Sequence, residues 1–240
     1  MKNETFIISS NECIAKDVYC MKLVGDTSDI RRPGQFVNLT LDGFFLRRPI
    51  SICDHEDNML TLIYKVVGQG TKFMSEFSRG KEVDILIALG NGFDTDAAPD
   101  TCTVIGGGVG VPPMYGVAKD LIAKGKKVHA ILGFNTKDDV FYVDEFRALG
   151  CEVTVTTVDG SVGKKGFVTD AMEGGEYVLC CGPKPMLVAV YNKCGDGQFS
   201  FEERMGCGFG ACVGCTIQTK AGAKRVCKDG PIFVKEVIQW

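Results

Sequence analysis

The first ninety residues alternate short apolar or β-branched runs with turn residues. The runs cover residues 4–10, 35–41, 50–53, 59–67 and 82–89. Alternation of apolar and polar positions with a period of two is typical of half-buried strands, and helical periodicity is scarce in this region. Several strands at short spacing predict a small closed antiparallel barrel, which leaves no open sheet edge.

Beyond residue 100 the pattern changes to strands alternating with helices. Predicted strands and helices follow one another at 101–105, 112–124, 127–132, 139–149, 151–158, 176–181 and 183–193. This order predicts a parallel sheet with helices on its faces. The Gly-, Pro- and Asp-containing run 91–100 reads as a linker. We therefore predict a multi-domain β plus α/β chain, divided into a barrel at 1–97, an α/β domain at 98–195 and a small Gly- and Cys-rich segment at 196–240.

Composition and charge exclude several classes of function. The chain has 240 residues, 27 Lys and Arg against 30 Asp and Glu, and a net charge of −3. No basic cluster larger than a pair is present, which argues against nucleic-acid binding. No apolar run approaches the roughly 18 residues that a membrane span needs. The first residues carry an acid and no apolar stretch, so we expect no secretory signal and a cytoplasmic protein.

Four of the twelve cysteines form a cluster near the end of the chain. Cys207, Cys212, Cys215 and Cys227 have the spacing C-x4-C-x2-C-x11-C. The first three match plant-type [2Fe-2S] ferredoxins, and interspersed glycines would let backbone N–H groups approach sulfide. A zinc ribbon is the alternative, but zinc knuckles favour paired C-x2-C spacing. We predict a [2Fe-2S] cluster, which would also staple a segment too short for a large apolar core. The other eight cysteines are expected to be structural.

Two glycine turns follow buried strands of the predicted sheet. Residues 104–114 match G-x-G-x-x-P rather than the Rossmann fingerprint, and residues 181–183 repeat the strand, glycine and helix arrangement. Both would place backbone amides at the edge where parallel sheets bind diphosphates. A tight strand-to-helix turn is the alternative. The candidate nucleotide contacts are Gly106, Gly107, Gly108, Gly110, Pro112, Cys181, Gly182 and Pro183. Cys181 either touches a nicotinamide ring or only packs.

The predicted barrel carries two further motifs. Residues 47–51 (Arg-Arg-Pro-Ile-Ser) enter one strand, and Gly70 and Thr71 follow another at the start of a short helix. Arg48 with Ser51 can hold a flavin phosphate, and Gly70 with Thr71 can offer N–H and hydroxyl donors to a pyrophosphate. A surface basic pair and an ordinary glycine turn are the alternatives for either motif alone.

The order of these motifs resembles the ferredoxin-NADP reductase superfamily over about the first 195 residues. With residues 203–207 and 226–231 added, the whole chain resembles the electron-transfer subunits of B-type dihydroorotate dehydrogenases. The resemblance implies FAD on the barrel and NAD across the two glycine turns. The implied FAD contacts are Arg48, Pro49, Ile50, Ser51, Ile63, Tyr64, Lys65, Gly70 and Thr71. Ile50 replaces the flavin-stacking aromatic residue of the wider superfamily, and the final cysteine gap is shorter than in oxygenase reductases.

The resemblance also implies a function. Electrons would pass from NADH through FAD and the [2Fe-2S] cluster to an FMN-containing catalytic subunit that interconverts dihydroorotate and orotate in pyrimidine biosynthesis, in a heterotetramer with two copies of each chain. No acid or base is needed for hydride transfer. His55 is expected in a solvated loop, and His129 in a core strand. No acidic residue marks the ribose site, so the preference for NAD over NADP rests mainly on the resemblance.

Two other functions remain open from the sequence. The nearer is a sister flavin and iron-sulfur reductase subunit that delivers electrons to ferredoxin or hydrogenase. The more remote is a nucleotide sensor whose four clustered cysteines bind structural zinc. The content of flavin, iron and sulfide separates the second alternative from the first.

Overall fold

The computed structural model describes residues 2–240, and its first ninety residues contain six strands and one short helix. These elements are β1 (Lys2–Ala15), β2 (Val18–Val24), β3 (Phe36–Leu39), β4 (Arg48–Glu56), β5 (Met59–Lys65), α1 (Gln69–Ser75) and β6 (Glu82–Leu89). The strands form a closed antiparallel barrel in the order β1-β2-β5-β4-β3-β6, and β6 pairs with β1 to complete it. The predicted barrel is confirmed.

Alternating burial explains the barrel strands. In β6, Val83 and Ile85 point into the barrel, whereas Glu82 and Asp84, at the alternate positions, are exposed. Successive side chains of a strand point to opposite faces, so this alternation gives each strand one apolar face. The apolar faces meet in one core inside the barrel, with Phe6 and Leu62 fully buried in it.

The remainder of the chain contains nine strands and five helices. They are β7 (Thr101–Gly107), α2 (Val111–Ala123), β8 (Lys127–Phe134), α3 (Val143–Ala148), β9 (Glu152–Thr157), β10 (Lys164–Lys165), α4 (Val168–Ala171), β11 (Tyr177–Cys181), α5 (Lys184–Lys193), β12 (Asp196–Ser200), β13 (Thr216–Thr219), β14 (Gly222–Arg225), α6 (Val226–Asp229) and β15 (Ile232–Val234). No helix within residues 2–240 is long and apolar enough to cross a bilayer.

Seven of these strands form one sheet in the order β10-β9-β8-β7-β11-β12-β15. All neighbours are parallel except β12 and β15. The central strand β7 is buried at six of its seven positions, as expected for a parallel strand covered on both faces. The predicted parallel sheet is confirmed, and β13 and β14 form a separate hairpin.

The cysteine-rich end of the chain is tied to the sheet. Strand β12 pairs with β11, and β15 pairs with β12, so strand pairing continues across the boundary expected near residue 195. Val226 and Phe233 share an apolar core with Ile105 and Val178 of the sheet. The segment therefore shares an apolar core with the sheet, in addition to the metal staple that its cysteines predict.

Three details differ from the pattern-based prediction. Strand β2 was not predicted, because polar positions interrupt its apolar run. The helix expected at 139–149 is shorter, since a 3-10 turn ends at Asp139 and α3 spans only Val143–Ala148. His55 lies within β4, opposite Leu60 of β5, and is half-buried. The expectation of a solvated loop was wrong because the acidic run around His55 continues the strand to its turn.

Helix α2 joins the two main parts of the fold. Pro112 and Pro113 occupy its first turn, where a missing backbone N–H costs no helical hydrogen bond. Its buried residue Val117 belongs to a core that includes Cys53 and Ile63 of the barrel. The barrel is therefore packed directly against the helix that follows the first glycine turn.

Candidate functional site

A cavity of about 410 Å³ lies at the carboxyl ends of the parallel strands, beside the barrel. Gly107, Gly108 and Pro183 of the predicted nucleotide set line it, and so does Lys65 of the predicted FAD set. Clefts at this edge of an open parallel sheet are the usual ligand sites of such folds. The structure thus brings both glycine turns and two barrel strands, β2 at Val18 and β5 at Lys65, to a single cavity.

Gly110 lets the two glycine turns approach each other. A Cβ atom at position 110 would overlap the Cys181 carbonyl oxygen and lie 2.8 Å from the Gly182 Cα. Gly106 serves the turn itself, since a Cβ there would lie 2.7 Å from the Val111 Cα. Both glycines are required by close backbone approach, so the loop leaves the space that a diphosphate needs beside the start of α2.

Cys181 lies at the end of β11, against Gly110. Burial raises the pKa of its thiol to about 12, although a hydrogen bond with Ser200 acts in the opposite direction. At neutral pH the thiol therefore stays protonated and uncharged. Such a group can pack beside a nicotinamide ring without placing a negative charge there.

Most of the cavity wall consists of residues that no sequence motif marks. Three aromatic residues line it, Phe134, Phe141 and Phe167, together with Asn135 and Thr169. Phe134 ends β8 and Asn135 follows it, so the rule that ligands bind at the carboxyl ends of parallel strands could have pointed to both. Phe167 precedes the very short helix α4, and no sequence pattern marks it.

Arg48 and Gly70 of the predicted FAD set meet at the barrel surface. A Cβ atom at Gly70 would overlap the Arg48 guanidinium at Nε. The guanidinium lies 4.9 Å from the centre of the Phe44 ring, and within residues 2–240 it forms no ion pair. An unpaired cation above a glycine backbone fits the phosphate of a dinucleotide such as FAD.

Pro49, Ile50 and Ser51 continue β4 from Arg48 and pair with residues 36–38 of β3. The Thr71 hydroxyl is engaged within its own turn, since it accepts hydrogen bonds from the N–H groups of Val67 and Gly68 at 2.9 and 3.2 Å. Thr71 therefore shapes the turn that presents Gly70 to Arg48.

The three predicted contacts on β5 have different surroundings. Ile63 is 3% exposed and lies in the core shared with α2. Tyr64 is 2% exposed, and its hydroxyl donates to Asn11 Oδ1 at 3.0 Å; burial raises its pKa. Lys65 Nζ lies 3.3 Å from Asp139 Oδ1, across the cavity mouth. Ile63 and Tyr64 therefore have backbone groups to offer a cofactor, whereas Lys65 is placed at the nucleotide cavity.

The four clustered cysteines are arranged as two pairs. The Cys207 N–H donates to Cys212 Sγ at 3.4 Å, and the Cys227 N–H donates to Cys215 Sγ at 3.4 Å. No group of three or more His, Cys, Asp or Glu side chains in residues 2–240 is arranged to hold one metal ion. Two thiol pairs fit a [2Fe-2S] cluster, in which each iron takes two thiolates.

Backbone donors surround the Cys207 sulfur. The N–H groups of Phe209, Ala211 and Cys212 point at Cys207 Sγ from 3.5, 3.2 and 3.4 Å. Burial opposes ionisation of this thiol, but these donors outweigh it and lower its pKa to about 6. Burial, followed by Cys215, raises the pKa of Cys227 to about 12. A loop that solvates thiolate with N–H groups fits a reducible iron-sulfur centre.

Gly206 leaves room for the Cys212 sulfur within the cysteine loop. A Cβ at Gly206 would lie 3.1 Å from Cys212 Sγ, tighter than side chains normally pack. Cys215 and Cys227 are buried, whereas Cys212 is exposed. The cysteine site therefore has one buried side, toward the sheet, and one exposed edge at Cys212.

Family models match two parts of the chain. Residues 202–239 match the iron-sulfur cluster binding domain of dihydroorotate dehydrogenase B. Residues 104–192 match an oxidoreductase NAD-binding domain. The two matches cover the cysteine pairs and the glycine turns, respectively.

Curated relatives match the full length. The dihydroorotate dehydrogenase B (NAD(+)) electron transfer subunit of Fusobacterium nucleatum subsp. nucleatum is 45% identical, over 100% of this chain and 99% of the relative. The subunit of the same name from Bacillus mycoides is 42% identical, over 99% of both chains. This chain belongs to the family of dihydroorotate dehydrogenase B electron transfer subunits. Identity at this level over both full lengths includes the barrel as well as the two matched domains.

Solved structures agree with this family and fold. The structure titled for flavin-based electron bifurcation by an NADH-dependent reduced ferredoxin-NADP oxidoreductase has a TM-score of 0.86 and 30% identity, over 98% of this chain and 90% of that one. Phthalate dioxygenase reductase has a TM-score of 0.67 at 22% identity, over 78% and 63% of the two chains. The second likeness concerns the fold alone. An electron transfer subunit with a reductase fold is thus consistent with both comparisons.

Proposed function

We propose that this electron transfer subunit moves electrons between NADH and the FMN-containing catalytic subunit of dihydroorotate dehydrogenase, through FAD and a [2Fe-2S] cluster. The observation that carries the proposal is the position of the barrel between the two other sites. Lys65 of the barrel lines the nucleotide cavity, and Asn38 of the barrel bonds to the cysteine loop at Cys207. A flavin held on this barrel would have the nucleotide on one side and the cluster on the other.

Different residues would bind FAD and NADH. Arg48 above Gly70 would hold the FAD phosphate, and the strip from Pro49 to Ser51 would support the flavin. Gly107, Gly108 and Pro183 would hold the NADH diphosphate, with the aromatic cavity wall excluding water. FAD links hydride chemistry to single electrons, and the cluster carries single electrons. The residues themselves need only bind and orient, which agrees with the protonated thiol of Cys181.

The cysteine loop also supports docking of a partner. Its exposed edge holds Cys212, with Phe209 41% exposed and Val213 59% exposed on either side. Exposed apolar side chains around a redox centre favour a protein surface over bulk water. A catalytic subunit would cover this edge, and a heterotetramer with two copies of each chain is the assembly that we propose. None of the twelve cysteines forms a disulfide bond, as suits the reducing cytoplasm in which we place the protein.

The deciding experiment is an anaerobic visible spectrum of the purified full chain before and after NADH. Flavin, iron, acid-labile sulfide and zinc are measured on the same sample. We expect flavin together with equal iron and sulfide, bleached by NADH. Zinc without sulfide or flavin would contradict the proposal and favour the zinc-stapled nucleotide sensor.

A single substitution separates the two halves of the electron path. Cys212→Ser should abolish electron transfer to the catalytic subunit but leave NADH-dependent flavin reduction largely intact. Loss of both reactions would contradict the proposed path. Parallel assays with the dihydroorotate dehydrogenase catalytic subunit and with ferredoxin distinguish this function from that of a sister reductase. Faster reduction of ferredoxin would favour the sister reductase.

A further inference from the structure

Asn38 joins the barrel to the cysteine loop by a hydrogen bond. It lies on β3, is 1% exposed, and donates from Nδ2 to the Cys207 carbonyl oxygen at 3.2 Å. Across residues 2–240 this is the one side-chain hydrogen bond between the barrel and residues 206–215. The bond joins positions 169 residues apart, so it depends entirely on the tertiary fold.

The cysteine loop is shaped to receive this side chain. Gly208 has a φ of +80°, and a Cβ at this position would overlap Asn38 Nδ2. A side chain at position 208 would therefore be strained and would push the loop away from the barrel. The loop backbone rests directly on the Asn38 amide, next to the first cysteine of the cluster.

The backbone of Asn38 is paired with the strand that is proposed to hold FAD. Asn38 pairs with Pro49 of β4, and Arg47 Nη1 donates to the Asn38 carbonyl oxygen at 3.3 Å. Both partners lie beside Arg48. One residue therefore connects the strand proposed to hold FAD with the backbone of a proposed cluster ligand.

The fold alone gives little reason for an amide at this position. Asn38 Oδ1 is buried and accepts no hydrogen bond from any group in residues 2–240. A buried unpaired carbonyl oxygen costs stability, and an apolar side chain of the same shape would avoid this cost. The hydrogen bond that the amide does form is the one from Nδ2 to the Cys207 carbonyl oxygen.

We infer that Asn38 is a positioning residue that fixes the cysteine loop against the flavin strand and thereby sets the rate of electron transfer between flavin and cluster. This inference rests on the proposed function. Each transfer moves one electron from the reduced flavin to the oxidised cluster, and no bond is made or broken between the two groups. The hydride from NADH supplies two electrons. The cluster accepts one electron at a time, so the second transfer follows after the first electron has passed to the catalytic subunit, and the flavin releases its proton to water.

The test compares Asn38→Leu with the wild type as full-length, cofactor-loaded protein. Each protein is mixed with NADH in a stopped-flow instrument, and the absorbance of the flavin follows its bleaching. Samples frozen rapidly after mixing are measured by electron paramagnetic resonance, which follows cluster reduction. We expect flavin bleaching within twofold of the wild type and cluster reduction at least tenfold slower. The resonance spectrum of the dithionite-reduced cluster should also shift, a readout that does not depend on activity.

Asn91→Leu is the matched control. Asn91 also ties the barrel region to the end of the chain, since its Nδ2 donates to the Ile232 carbonyl oxygen at 2.8 Å and its Oδ1 accepts from the Ile232 N–H at 3.1 Å. Within residues 2–240 its side chain forms hydrogen bonds to Ile232 and none to the cysteine loop at 206–215. We expect this variant to keep the wild-type rate of cluster reduction and the wild-type resonance spectrum.

Several outcomes would overturn the inference. One is Asn38→Leu with a wild-type rate and spectrum. If Leu displaces the loop and the cluster is lost, Asn38→Ala removes the bond without added bulk, and this variant should show the same slowing of cluster reduction. Loss of the cluster from both Asn38 variants, but not from Asn91→Leu, would indicate that Asn38 has a purely structural role. Wild-type protein whose flavin and cluster are absent, or are not reduced by NADH, would instead contradict the proposed function.

Discussion

The guanidinium of Arg48 lies against the backbone of Gly70, so closely that a methyl group at position 70 would overlap its Nε. Arg48 begins β4, and Gly70 lies in the turn of helix α1. The two residues are separated by strand β5 and a loop in the chain. Their contact places a cation where a phosphate could also receive backbone N–H donors.

Gly70→Ala should therefore reduce FAD binding. The added methyl group displaces Arg48, and the loss of a charge-assisted contact of about 1.5–3 kcal/mol predicts a tenfold or greater loss of affinity. FAD affinity is measured by rebinding to flavin-free protein, followed by fluorescence quenching.

Gly68→Ala is the matched control in the same turn. No atom lies within 4 Å of a Cβ at Gly68, whose φ of −169° any residue can adopt. This variant should retain wild-type FAD affinity. Equal affinity losses in the two variants would show that the turn as a whole, and not the Arg48 contact, governs binding.

Sequence order predicted the architecture better than it predicted individual contacts. The barrel, the parallel sheet and the cysteine cluster follow from local periodicity and from spacing, which act within short stretches of chain. The contacts of Gly70 with Arg48 and of Asn38 with Cys207 depend on how strands close into a barrel. No pattern within a short stretch of the sequence predicts these two contacts. Phe167 lines the cavity for the same reason, because its neighbour Val168 packs against Gly133 of β8, which is distant in the chain.

Gly110→Ala should disrupt the nucleotide site. A Cβ there would overlap the Cys181 carbonyl oxygen, and two backbone segments cannot easily separate within a packed sheet. We expect a loss of stability of about 2 kcal/mol or more and a large increase in the KM for NADH. Urea unfolding and NADH-dependent flavin reduction measure the two effects.

Gly108→Ala is the comparison within the same loop. Gly108 has a φ of +54°, but no atom lies within 4 Å of its Cβ position. The left-handed backbone alone should cost about 1–2 kcal/mol, less than the loss of stability in Gly110→Ala. A larger loss of stability at position 108 than at 110 would contradict the assigned role of the contact between the turns.

Lys119→Met should weaken the packing of α2 against the barrel. Lys119 Nζ lies 2.8 Å from Asp54 Oδ2 and 3.0 Å from Glu56 Oε1, both on β4. Removal of the cation leaves the partly buried Asp54 carboxylate without its partner. We expect a loss of about 1 kcal/mol in the free energy of unfolding, smaller in high salt.

Lys72→Met provides the control for that measurement. Lys72 pairs with Glu76 at 3.8 Å, and both side chains are well exposed. Its removal should change the unfolding free energy by less than about 0.5 kcal/mol. Similar losses for the two variants would indicate a general charge effect rather than a bond between α2 and β4.

His55 should make stability depend on pH. Burial within β4 lowers its pKa below the ordinary 6.5; the Lys119 charge acts in the same direction, and Asp54 opposes it. Below pH 6.5 the unfolded chain therefore binds a proton that the folded chain does not. The contribution of His55 to the free energy of unfolding therefore falls as the pH decreases from 6.5 to the lowered pKa, with a slope of at most about 1.4 kcal/mol per pH unit.

His55→Gln should remove this part of the pH dependence. Gln keeps a polar side chain of similar size but cannot bind the proton, so the variant should lose less stability than the wild type between neutral pH and pH 5. Urea unfolding at several pH values measures the difference, and His129→Gln gives the corresponding profile for the other histidine, which bonds to Thr154. Parallel pH profiles for wild type and His55→Gln would show that burial in β4 does not affect protonation of this residue.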